Sequence, residues 1–145
     1  MYKKILIATD GSELSRKAEE HGIALAKVVG AAILGVTVTM PLSAYMTSDV
    51  AIAYDPSIFE ERTAEMAAGR LDAVAAIAAR EGVPCETMRV ESDPIYKGLV
   101  ETAEQQGCDL IVMASHGRSG LSGFILGSET TKVLTHSTIP ILVCR

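Results

Sequence analysis

The chain has 145 residues, 48 % of them hydrophobic and 21 % charged, which suits a folded domain with a sizeable core and excludes a disordered chain. A net charge of -5 argues against the basic face that general nucleic-acid or anionic-membrane binding requires. With 4 % aromatic residues and no Trp, the core must come from Ala, Val, Ile, Leu and Met.

Residues 4–9 (KILIAT) are a short apolar run without alternation, the pattern of a strand buried on both faces. The apolar stretch before Asp10 is too short for a signal peptide. Asp10, Gly11 and Ser12 are a turn and cap signal. A helix is expected over 13–29, with Leu14, Ala18, His21, Leu25 and Val28 inward and Gly30 at its end. Residues 32–39 (AILGVTVT) read as the second strand. The longest apolar run, 28–40, contains two glycines and is a core element, not a membrane span.

From Met40 to Ser57 the chain holds Pro41, Pro56, Tyr45 and Tyr54 and keeps no period. This is a long loop, of the kind that serves as a lid or binding segment. The second helix is expected over 58–81, with Ala67, Leu71, Val74 and Ala78 on one face and its Met positions in the core. Residues 84–91 alternate weakly and suit a sheet edge. Asp93-Pro94 opens a third helix with Ile95, Leu99 and Ala103 inward, ended by Gly107. A fourth strand over 110–115 leads into a loop with glycines at 117, 120, 123 and 127. Ser128, a good N-cap residue, starts a fourth helix over 128–136, and Pro140 introduces a last strand over 141–144.

Strands alternating with helices predict an α/β fold, a single-domain doubly wound five-stranded parallel sheet over 1–145, Rossmann-like, with strand order 3-2-1-4-5 and helices on both faces. Ligands of such sheets bind at the strands' carboxyl ends, where the order reverses. That would bring Asp10 beside the loop after Met113. A helix start behind glycines suits a phosphate, because its N–H groups are unpaired and its dipole end is positive. The same glycines also suit a surface loop that needs them only for turns. There is no GxxxxGK[ST], no GxGxxG after the first strand, and Leu121 breaks a GxSxG elbow at 117–121. Cys85, Cys108 and Cys144 are far apart, with no CxxC, which argues against a zinc or disulfide framework and for a reducing, cytoplasmic setting.

Ala114-Ser115-His116-Gly117, nine residues, then Gly127-Ser128 resembles the ATP-binding signature of the universal stress protein family, G-x-x-G-x(9)-G-[ST], in the UspA-like, ATP-binding type. The opening KILIATDGS, the loop GRSGLSGFILGS and the ending HSTIPILVCR are similar too. Ala114 stands where the pattern has its first glycine, and Glu129 where a small apolar residue is common. The resemblance implies that Ala8, Thr9 and Asp10 lie near the adenosine and that Val36 or Val38 borders the adenine. Met113, Ala114, Ser115, His116 and Gly117 would wrap the ribose and α-phosphate. Gly127, Ser128 and Thr130 would offer donors to the phosphates, with the Glu129 carboxylate turned to solvent. The implied ligand is ATP, or ADP or AMP, with Mg²⁺ possible beside it.

His21 reads as structural, His136 as a helix-end residue, and His116 as a loop residue bonded to its neighbours. No residues form a nucleophile, base and orienter, so any ATPase would be slow and metal-assisted. The apolar strand 141–144 ends the chain at a sheet edge, and pairing Ile141–Cys144 across a two-fold axis would give a homodimer. The expected function is therefore a dimeric, nucleotide-binding stress-response protein, with neither nucleic acid nor membrane as partner. A slow ATPase or phosphotransferase, or a nucleotide-free dimeric interaction module, are the alternatives.

Overall fold

Strand β1 (Lys4–Ala8) lies at the centre of the sheet, and Ile5, Leu6 and Ile7 are fully buried because both faces are covered. The structure, a computed structural model, describes residues 1–46, 55–117 and 126–145. After β1 come α1 (Glu13–Val29), β2 (Ala32–Thr39), a 3₁₀ turn (Leu42–Tyr45), α2 (Pro56–Glu81), β3 (Cys85–Glu91), α3 (Ile95–Gln105), β4 (Leu110–Ala114), α4 (Ser128–His136) and β5 (Ile141–Cys144). The five strands are parallel, in the order β3-β2-β1-β4-β5, with Ile5 opposite Ile33 on one side and Leu110 on the other. This is the doubly wound sheet that the alternation of strands and helices predicts, with β3 and β5 at its edges.

Side chains of β1 alternate between two cores. Ile5 and Ile7 pack with Ala18, Ile23 and Ala26 of α1 and Val74 and Ala78 of α2. Leu6 faces the opposite side, with Leu99 and Ala103 of α3 and Val133 of α4.

Several local expectations need correction. The buried stripe of α1 is Ser15, Ala18, Glu19, Gly22, Ile23 and Ala26, while Val28 is 85 % exposed. His21 is exposed as well, with Nδ1 2.8 Å from the Lys17 carbonyl oxygen. The helix lies close to the sheet on its small residues, since a Cβ at Gly22 would sit 2.8 Å from Ile7 Cδ1. A polar serine and glutamate can join that stripe because they are bonded to each other and to Thr9. Helix α2 begins at Pro56, two residues early, because Asp55 accepts the Ser57 N–H as N-cap and Pro56 suits the first helical position. In α4, Gly127 is the N-cap and Ser128 the first helical residue. Much of the expected 40–57 loop (47–54), and the stretch 118–125 with Arg118, Gly120 and Gly123, lies outside the described residues.

Candidate functional site

A crevice of about 760 Å³ opens over the carboxyl ends of β1, β2 and β4. The sheet order reverses there, because β1 is followed by β2 on one side and bordered by β4 on the other. Every one of the expected site residues except Ser115 lines it. Ala8, Thr9 and Asp10 come from the end of β1, and Val36 and Val38 from β2. Met113, Ala114, His116 and Gly117 come from the end of β4, and Gly127, Ser128, Glu129 and Thr130 from the start of α4.

The β1 turn is built by local hydrogen bonds. The Ser12 N–H donates to Asp10 Oδ1 at 2.9 Å, and the Gly11 N–H to Thr9 Oγ1 at 3.2 Å. Gly11 has φ +75°, a left-handed conformation that the turn gives to glycine. Asp10 thus caps its own turn and faces the crevice as well. A Cβ at Gly117 would stand 2.6 Å from Asp10 Oδ2, so glycine there leaves room for the carboxylate.

The β4 end is stapled to α4. The Gly127 N–H donates to the Ser115 carbonyl at 2.7 Å, and the Thr130 hydroxyl to the Ala114 carbonyl at 2.9 Å. Ser115 is buried under this staple, and its own N–H donates to the Cys144 carbonyl at 2.7 Å. Two groups expected to face a phosphate, the Gly127 N–H and the Thr130 hydroxyl, are therefore already engaged. What faces the crevice is the first turn of α4 itself, which has no side-chain cap and begins with the Ser128, Glu129 and Thr130 amides. Ala114 is unstrained, since no described non-glycine residue has positive φ. His116 Nδ1 lies 3.1 Å from Ser115 Oγ, the neighbour contact expected of it.

Glu129 does not turn to solvent. Its Oε2 accepts the Tyr96 N–H at 3.0 Å, and its Oε1 lies 3.5 Å from Lys132 Nζ. Tyr96 is the second residue of α3, which no side chain of its own caps. Glu129 fills that need from the neighbouring helix α4.

The α2 wall was not foreseen. Phe59, Arg62, Thr63 and Met66 form it, and Tyr45 of the 3₁₀ turn joins them, its ring edge-on to that of Phe59 at 5.8 Å. Met66, expected in the core, is exposed and faces the crevice, one position off the buried face that includes Thr63 and Ala67. Arg89 of β3 fixes this wall through Glu60, at 2.7 and 3.3 Å. Two aromatics close together in an aromatic-poor chain were the available signal.

Beneath the β1 turn, Glu19 is 2 % exposed and accepts hydrogen bonds from the Thr9 and Ser15 hydroxyls. Burial pushes its carboxyl above the ordinary 4.5, with a smaller push from Asp10, while those hydroxyls and the Arg16 charge pull it back. A carboxyl raised in the folded state keeps its full stabilising contribution below the unfolded pKa and loses it as pH rises through the folded one. Glu19→Gln, which keeps an accepting oxygen and drops the buried charge, should therefore raise Tm at pH 7, with the gain vanishing by about pH 4. Melting curves across that range check this, and a gain independent of pH would contradict it.

Among the described residues, no three His, Cys, Asp or Glu side chains gather to hold a metal, and no helix is long and apolar enough to cross a membrane.

A doubly wound sheet with a crevice at its switch point, walled by a strand-end carboxylate and an uncapped helix start, defines an α/β domain of the ligand-binding kind. The model of the universal stress protein family matches residues 1–145, and the chain belongs to that family. It is 34 % identical over 149 residues to the universal stress protein YxiE of Bacillus subtilis, with all of both chains covered. The solved structure of MJ0577 from Methanocaldococcus jannaschii superposes with a TM-score of 0.77 at 28 % identity, covering 99 % of this chain and 96 % of that one. A universal stress protein solved in complex with cAMP superposes at 0.75 with 23 % identity, covering 99 % and 97 %.

Proposed function

We propose that residues 1–145 act as one universal stress protein domain that binds an adenine nucleotide in the switch-point crevice and serves stress response or regulation. The observation that carries this reading is the convergence of the signature residues on a single crevice, with Asp10 on one wall and the start of α4 on the other. Asp10, Ala8 and Val38 border the nucleoside, with Val36 wholly buried behind them, and Met113, His116 and Gly117 border the ribose and first phosphate. The amides at the start of α4 take phosphate oxygens. ATP, ADP and AMP share these features. A magnesium ion would take most of its ligands from a polyphosphate, because the described residues gather no metal site. A relative solved with cAMP supports an adenine ligand. We place the protein in the cytoplasm, which suits its three free cysteines.

Calorimetric titration of ATP and AMP, with and without Mg²⁺, tests the reading, after a denatured sample has been checked for nucleotide carried through purification. Saturable binding near one per chain is expected. Neither binding nor retained nucleotide would overturn it.

We propose further that the protein is a homodimer through β5. Leu142, 39 % exposed on this edge strand, offers the apolar surface for pairing. Leu142→Lys should shift the sedimentation of the wild-type dimer to that of a monomer and leave nucleotide affinity within about twofold, since the crevice lies outside this edge. A wild-type monomer would overturn the dimer.

A further inference from the structure

We propose that Glu129 sets the number of phosphates the crevice accepts, favouring one phosphate over three. This inference rests on the nucleotide reading above. The start of α4 is the crevice's anion-binding element, and its attraction comes from amides and about half a positive charge. Glu129 is the second residue of that helix and lines the same crevice. Its carboxylate therefore sits where it offsets the dipole.

The carboxylate is also held in place. Swinging away would leave the Tyr96 N–H at the start of α3 without its acceptor, because α3 has no side-chain cap of its own. Lys132 lies 3.5 Å from Oε1 and neutralises it incompletely, since that pair is exposed and screened by water. Asp10, the other carboxylate among the described residues that line the crevice, adds to the negative side. Arg62 and Arg70 stand on the opposite, α2, wall.

A single phosphate can take the α4 amides at modest electrostatic cost. Each further phosphate adds negative charge near Glu129, whose carboxylate is held at the anion-binding turn. The chemical class expected is thus an adenine nucleotide with one phosphate, linear or cyclic.

Glu129→Gln separates charge from structure. The amide keeps an oxygen for the Tyr96 N–H and loses only the charge. In calorimetric titrations without Mg²⁺, the wild-type protein should bind AMP more tightly than ATP. The glutamine variant should narrow that preference by roughly tenfold, mainly through tighter ATP binding. Tm should change little, which shows that the α3 cap survives. A preference for ATP in the wild-type protein, or an unchanged AMP-to-ATP ratio in the variant, would overturn the role of Glu129 while nucleotide binding stood. Failure of either nucleotide to bind either protein would overturn the nucleotide reading, and this inference with it.

Discussion

Gly127→Val should weaken nucleotide binding by roughly a hundredfold, as overpacking of about 3 kcal/mol falls on the site. The reason is contact, not backbone freedom, because Gly127 has φ -62°. A Cβ there would stand 2.9 Å from His116 Cα, 3.0 Å from His116 Cβ and 3.2 Å from the Ser115 carbonyl oxygen. Two of those atoms are backbone and cannot rotate aside. The substitution therefore pries the start of α4 from the end of β4 and strains the Gly127–Ser115 hydrogen bond. The amides meant for phosphate move with it. Gly127→Ala should fall between the two, because one methyl meets the same atoms with less bulk. Circular dichroism should show the helices intact, and sedimentation the same assembly, since β5 is untouched. Titration of AMP into both variants measures the effect. Unchanged affinity in the valine variant would remove this end of the loop from the site.

The same geometry explains what could be read from the sequence. The sheet was legible because its signals are redundant. ILIA after Lys4 and LIVMA are unbroken apolar runs, and Gly30 and Gly82 end their helices in the left-handed conformation. The gathering of residues 8–10, 113–117 and 127–130 at the switch point was legible because the family resemblance marks them and they lie at strand ends and a helix start, which this topology brings together. Four things were not legible. Apolar spacing alone misplaces the α1 stripe, because Ser15 and Glu19 are inside through hydrogen bonds to Thr9 that no periodicity displays. The Gly127 amide and Thr130 hydroxyl look available to a ligand in the sequence, because their carbonyl partners, Ser115 and Ala114, are set by tertiary packing. Nothing in the sequence ties Glu129 to its donor, because that donor, the Tyr96 N–H, lies 33 residues away in the chain. The α2 wall followed the same rule, since Phe59 and Met66 gain their meaning only from the sheet end beside them.

Leu6→Ala should do the opposite of Gly127→Val, lowering stability steeply and leaving the site competent. Leu6 is fully buried in the middle of β1 and packs among Leu34, Val36, Leu99, Ile111 and Val133. Removing its side-chain branches leaves a cavity that the paired strands on either side cannot collapse into, because β2 and β4 hold β1 in register. The expected cost is about 3 kcal/mol. For a chain of this length that lowers Tm by roughly 10 °C. Ala8 and Asp10 lie two and four positions further along, and their turn is held by its own hydrogen bonds to Ser12 and Ser15. AMP affinity measured well below the new Tm should therefore fall by no more than about threefold, a loss that would pass through Val36 and Leu99, which line the crevice and share the core with Leu6. Thermal melts and titrations on the two variants together make the contrast. Loss of binding in folded Leu6→Ala would mean that the crevice depends on core packing beneath β1 and not only on the ends of its strands.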